Sequence, residues 1–285
     1  LKGGLVVIGI NFLLWSSRLE AGHAPVLTAL REIGYGGIEV PFFDGSAADA
    51  RAAGQMVRAA GMEPAMIGLF PDPDRNPLSD DAAIAKRGRD HLFWLIEMAQ
   101  EMGARLIAGP FTQPLGQFSG RGITPTEWAR MVAAHRAMAE RAGPDLRLAV
   151  EPLNRFECYA LNTAADAARL VTEVGCPNYG YLYDTFHAHI EEANPTLALI
   201  ETLPAVAHFH VSENHRGTPG KGHAAIQQAL MALKASGYEH WISVEAFGLA
   251  LPELSAATRI WRRMFDDELA LAAEAFALIR SHMDP

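Results

Sequence analysis

The chain has 285 residues, 49% hydrophobic and 20% charged, which suits one α/β core, and no Pro/Ser-rich linker divides residues 1–285 into more than a single domain. A net charge of −9 argues against nucleic acid as a partner, and no apolar run is long enough to span a membrane. Two cysteines, Cys158 and Cys176, belong to no paired motif, and the N-terminus lacks a charged segment followed by an apolar leader, so a cytoplasmic protein with reduced thiols is expected.

Short apolar or β-branched runs recur along the chain, and the first spans residues 5–10. The next two, 37–40 and 64–69, precede Ser79, read as the cap of a helix over 80–102 that Gly103 closes. Strand 105–109 leads to a helix from about Thr124 that Gly143-Pro144 ends. Strand 146–151 precedes Thr163, an N-cap for a helix over 164–174 with Gly175 as its stop. Strands at 179–184, 206–211 and 241–245 follow, and the stretch 252–282 reads as helical throughout. Eight strand–helix units argue for a parallel sheet closed as a (β/α)₈ TIM barrel. The open doubly wound alternative would carry a Gly-rich phosphate turn after its first strand, and Gly9-Ile10-Asn11-Phe12-Leu13 is not one.

Barrel enzymes assemble their sites where strands end. Here strands five to eight end in Glu151, Asp184, His210 and Glu245, each about one strand–helix unit after the last. A single acid at a strand end usually caps the next helix. Four successive strands that each end in a ligand-type residue point instead to convergence above the barrel axis. Three carboxylates and one imidazole suit Mn²⁺, Co²⁺ or Mg²⁺, and without a cation the carboxylates would repel one another. His208, two residues before His210, faces the same way one layer deeper and reads as a hydrogen-bonded core histidine. Phe42, Phe43 and Trp94 read as packing.

At these residues the sequence resembles the ketose 3-epimerases, a branch of the xylose-isomerase-like barrels. The resemblance rests on Val150-Glu151-Pro152-Leu153-Asn154-Arg155-Phe156-Glu157 and Asp184-Thr185-Phe186-His187, on the run from His208 to Gly220, and on Glu245-Ala246-Phe247-Gly248. It implies that Glu151, Asp184, His210 and Glu245 hold a divalent metal, Mn²⁺ foremost. Glu151 and Glu245 would double as the acid/base pair for C3 epimerisation through a cis-enediolate. It also implies that Glu157, His187 and Arg216 hold the O1/O2 end of a ketose, that Trp15 and Phe247 line the pocket, and that the chain forms a homodimer or homotetramer. The first third departs from better-known members: Asn11 and Leu19 stand near positions of family aromatics, and Ile67, Gly68, Gln113 and Leu115 fall in pocket-shaping loops, leaving the preferred sugar open. The role of His223 is open as well.

The same scaffold also carries aldose–ketose or hydroxypyruvate-type isomerases and inosose-type dehydratases. An endonuclease IV-like DNA-repair barrel would need many more strand-end histidines and a basic face. A non-catalytic sugar binder would not need both acid/base glutamates.

Overall fold

The computed structural model describes residues 6–283. Its strands are β1 (Ile8–Asn11), β2 (Gly37–Pro41), β3 (Glu63–Ile67), β4 (Leu106–Gly109), β5 (Arg147–Val150), β6 (Tyr179–Asp184), β7 (Val206–Val211) and β8 (Ile242–Val244). All pairings are parallel and in chain order, and β8 bonds back to β1, so the sheet is a closed barrel. Parallel neighbours need crossovers, and helices supply them. These are α1 (Ala24–Ile33), α2 (Ala47–Ala59), α3 (Ala82–Met102), α4 (Pro125–Ala142), α5 (Ala164–Val174), α6 (Thr185–Glu191), α7 (Pro195–Thr202), α8 (Ile226–Ser236), α9 (Pro252–Thr258) and α10 (Glu268–Met283). The barrel expected from the strand–helix alternation is therefore the fold. Leu5, expected in the first strand, lies outside the described residues.

Local chemistry sets the helix ends. Thr124 accepts from the Glu127 backbone and Thr163 from that of Asp166, which satisfies donors that a helix start leaves free. Gly175 ends α5 in the left-handed region at φ 68. Two expectations need correction. Asp81, not Ser79, caps α3: its Oδ1 accepts from Ala83 and Ile84, while Ser79 Oγ accepts from Asp81 N and shapes the turn before it. The C-terminal stretch is not helical throughout, because Arg259 turns left-handed at φ 61 and ends α9. Ile260 follows it and is buried with Leu13 and Phe247, so apolar anchoring offsets the strain of the turn.

The main core lies between the sheet and the helices, where Ile10, Ile38, Val40, Leu148, Val150, Phe209 and Val244 are fully buried. A smaller cluster built from Ala65, Ala108, Ala149, Leu182 and Ala207 packs against Trp241. Gly37 is required there, since a Cβ on it would stand 2.3 Å from the Trp241 ring. Phe42 and Trp94 stack at 5.8 Å, as packing residues do. No helix among the described residues is long and apolar enough to cross a membrane.

Candidate active site

The C-terminal ends of β5 to β8 bring Glu151, Asp184, His210 and Glu245 together. Each offers one ligand atom, the four atoms lie within 4.8 Å of one another, and all four residues are buried. The sheet register produces this convergence. Asp184 pairs with His210 across β6 and β7, and the backbone N–H of Glu245 donates to Val211 on β7. His210 Nδ1 stands 3.5 Å from Asp184 Oδ2 and 3.5 Å from Glu245 Oε1, yet it is buried with no hydrogen-bond partner. An unpartnered ring nitrogen amid carboxylate oxygens fits a hard or borderline divalent cation.

Electrostatics in the cluster follow from burial and crowding. Burial pushes the Glu151 carboxyl well above its usual value, and the negative charges of Glu245 and Asp184 add to this. Burial likewise raises Glu245 to about 7, against the pull of Arg216 and His210. Burial opposes ionisation of Asp184 too, but the His210 ring and the Arg216 guanidinium hold it well below the usual carboxylate range. Burial alone would lower His210; the carboxylates of Glu39, Glu245 and Asp184 around it raise it well above an ordinary imidazole.

A cavity of about 360 Å³ opens over the cluster. Glu157, His187 and Arg216 line it beside Glu151 and Glu245, and its outer wall is apolar, with Ile67, Leu115, Leu153 and Phe247. Arg216 Nη1 donates to Glu245 Oε2 at 2.5 Å and to Ser212 Oγ at 2.8 Å, and its guanidinium lies over the Phe186 ring at 3.7 Å. The residue holds a left-handed φ of 60, a conformation that costs a non-glycine residue about 1–3 kcal/mol. Glu213 fixes the loop that imposes it: the fully buried carboxylate accepts backbone N–H groups of Asn214, Gly220 and Ala224. Gly222 closes against this carboxylate, since a Cβ there would lie 2.6 Å from Glu213 Cδ.

His187 is neutral, because burial lowers it to about 4. The backbone N–H of Asn154 lies 3.0 Å from its Nδ1, and Nε2 faces Arg216 Nη2 at 3.1 Å and Glu151 Oε1 at 3.6 Å. Glu157 is steadied by Asn154 Nδ2 at 2.8 Å.

Other expected pocket residues sit elsewhere. Trp15 packs against Phe12 at 5.5 Å and is not among the residues lining the cavity. Leu19 lines a separate surface pocket. Gln113 is fully buried as a loop brace, donating to the Gln117 carbonyl and accepting from the Ala160 N–H. Gly68 donates its N–H to the Ala108 carbonyl and is not in the lining either. His223 is exposed and packs edge-on to His189 at 4.9 Å. Three residues beyond the expected set hold the site together: Asn11, whose Nδ2 donates to Glu245 Oε1 at 3.0 Å, Ser212 and Glu213.

The xylose isomerase-like TIM barrel family model matches residues 27–280 of the chain. An L-ribulose 3-epimerase of Mesorhizobium japonicum is 33% identical over 282 residues, covering 95% of this chain and 92% of its own. A Synechocystis protein named "Probable ketose 3-epimerase" is 37% identical over 186 residues, or 65% of each chain. A solved L-ribulose 3-epimerase superposes with a TM-score of 0.89 at 31% identity, covering 98% of this chain and 95% of that one.

Proposed function

The chain belongs to the xylose isomerase-like TIM barrel family, among its ketose 3-epimerases, and from that premise we propose that it inverts C3 of a free ketose with Glu151 and Glu245 as the acid/base pair. The observation that carries this reading is the placing of two buried glutamates, with Asp184 and His210, at the floor of a cavity whose inner wall also holds Glu157, His187 and Arg216.

In this reading Glu151, Asp184, His210 and Glu245 hold one divalent cation, Mn²⁺ foremost, with Co²⁺ and Mg²⁺ suited by the same donors. When bound, the cation acts as a Lewis acid on the carbonyl and neighbouring hydroxyl oxygens, which makes the C3 proton more acidic. The residues do the rest. One glutamate removes the C3 proton from one face, leaving a cis-enediolate. The other returns a proton from the opposite face, and the centre inverts. The His187 ring and the Arg216 guanidinium hold the O1/O2 end, and Glu157 accepts from a hydroxyl there. Residues 1–285 act as one domain of a cytoplasmic homodimer or homotetramer, an assembly that light scattering on the purified protein would measure.

The test is incubation with D-fructose, D-allulose, D-tagatose, D-sorbose and L-ribulose in the presence of Mn²⁺, with products resolved by chromatography. A C3 epimer of unchanged mass is expected. An aldose product would reassign the chain to carbonyl-shifting isomerases, and loss of one water to the dehydratases.

A further inference from the structure

Glu39 projects from β2 into the barrel interior, and it is fully buried. Removing an isolated carboxylate from water costs several kcal/mol, so a buried one must be paired. Two histidines of β7 pair it: His208 Nε2 meets Oε1 at 2.5 Å, and His210 Nε2 meets Oε1 and Oε2 at 3.2 and 3.1 Å. Oε1 of Glu39 is shared by both rings and Oε2 is met by one of them, the arrangement of a carboxylate that accepts from two imidazole N–H groups. An ionised carboxylate has no proton to offer, so the shared proton belongs to each ring's Nε2.

That assignment has a consequence at the other side of the His210 ring. With Nε2 committed to Glu39, Nδ1 is the nitrogen left to face Asp184 and Glu245, at 3.5 Å from each. We propose that Glu39 is a positioning residue: it fixes the ring and tautomer of His210 so that the Nδ1 lone pair is presented to the cation. His208, one layer nearer the N-terminal mouth, anchors the same carboxylate. This rests on the reading of His210 as a cation ligand. A carboxylate behind a ligating imidazole also makes the ring a stronger donor, and loss of such a partner typically costs about 10–100-fold in metal affinity.

The experiment uses full-length protein with ¹⁵N-labelled histidine, loaded with diamagnetic ¹¹³Cd²⁺, together with calorimetric Mn²⁺ titration of the wild type and of Glu39→Gln. The expected spectrum shows cadmium coupling at His210 Nδ1 and a proton on Nε2. Glu39→Gln should bind one Mn²⁺ about 10–100-fold more weakly, with the His210 Nε2 proton signal displaced. If Glu39→Gln does not fold, the wild-type spectrum decides. Coupling at Nε2 overturns the proposal. So does coupling at Nδ1 with Mn²⁺ affinity unchanged in Glu39→Gln, which would leave the ligand reading of His210 standing. Coupling at neither nitrogen overturns that ligand reading and the proposal with it. A second equivalent of metal held by Glu39, His208 and His210 also overturns the proposal, because the carboxylate would then be a ligand itself.

Discussion

Arg216 Nη1 donates to Glu245 Oε2 at 2.5 Å, while the other oxygen of that carboxylate is taken by Asn11 at 3.0 Å. Glu151 has no such clamp: among the described residues its carboxylate is approached by His187 Nε2, at 3.6 Å. Two glutamates at the ends of β5 and β8 are thus chemically unequal. Arg216 offsets part of the burial penalty at Glu245, which settles at about 7, whereas Glu151 is pushed well above its usual value.

Metal removal gives the first prediction. Exhaustive EDTA treatment should abolish epimerisation, and Mn²⁺ or Co²⁺ should restore it, because the C3 proton is too weakly acidic without a Lewis acid on the neighbouring oxygens. Elemental analysis of the treated sample must accompany the assay. Full turnover by a preparation shown to be metal-free would defeat the reading.

The second concerns pH. In the metal-free protein Glu245 holds its proton up to about 7, and His210 is raised well above an ordinary imidazole. A cation bound by these groups must displace those protons, so binding releases protons and acid competes with it. The sign follows: Mn²⁺ affinity rises with pH through the window around 7, and weakens as pH falls below it. Calorimetric titrations at several pH values, in buffers of different ionisation enthalpy, measure both the affinity and the protons released. Affinity independent of pH between about 5 and 8 would mean that the cation binds elsewhere.

The barrel and the convergence of its last four strands were legible because both follow from local periodicity. Each of Glu151, Asp184, His210 and Glu245 ends an apolar run, and strand ends are where such barrels carry chemistry. Glu39 was hidden for a physical reason. Parallel barrel strands are buried on both faces, so β2 shows no alternation to mark which residues face the axis. The histidines that Glu39 binds are 169 and 171 residues away in sequence. Trp15, which packs on Phe12, could not be placed from sequence for a similar reason, since an aromatic after a strand suits a sugar face and a packed core equally well. The break at Arg259 carried no signal because no glycine or proline marks it.

The third prediction concerns His187 and Arg216, the groups proposed to hold the substrate. His187→Ala removes a buried imidazole of the cavity wall, and Arg216→Ala removes a guanidinium stacked between Phe186 at 3.7 Å and Phe247 at 4.8 Å. Both variants should retain one Mn²⁺ per chain and raise KM for the ketose. A hydrogen bond from a charged group contributes about 1.5–3 kcal/mol, so Arg216→Ala should lose roughly tenfold to hundredfold in kcat/KM. Metal loss in either variant by elemental analysis would place that residue among the metal-holding groups instead.

The last prediction separates the two glutamates from simple ligands. Glu151→Gln and Glu245→Gln keep an oxygen that can reach a cation but remove the group that accepts a proton. An amide carbonyl is the weaker ligand, so each variant is assayed at saturating Mn²⁺. There, each should fold and bind ketose yet lose on the order of 10²-fold or more in rate, the scale of a missing acid/base group. The clamp on Glu245 adds a structural control: in Glu245→Gln the amide oxygen can still accept from Arg216 or Asn11, so the pocket should keep its shape by crystallography. Exchange at C3 in deuterated water, run from both epimers, then tests the faces. If the glutamates serve opposite faces, each variant should retain exchange with one epimer, the one whose C3 proton faces the surviving base, and the two variants should retain opposite epimers. Equal residual exchange with both epimers in either variant would show that a single base serves both faces.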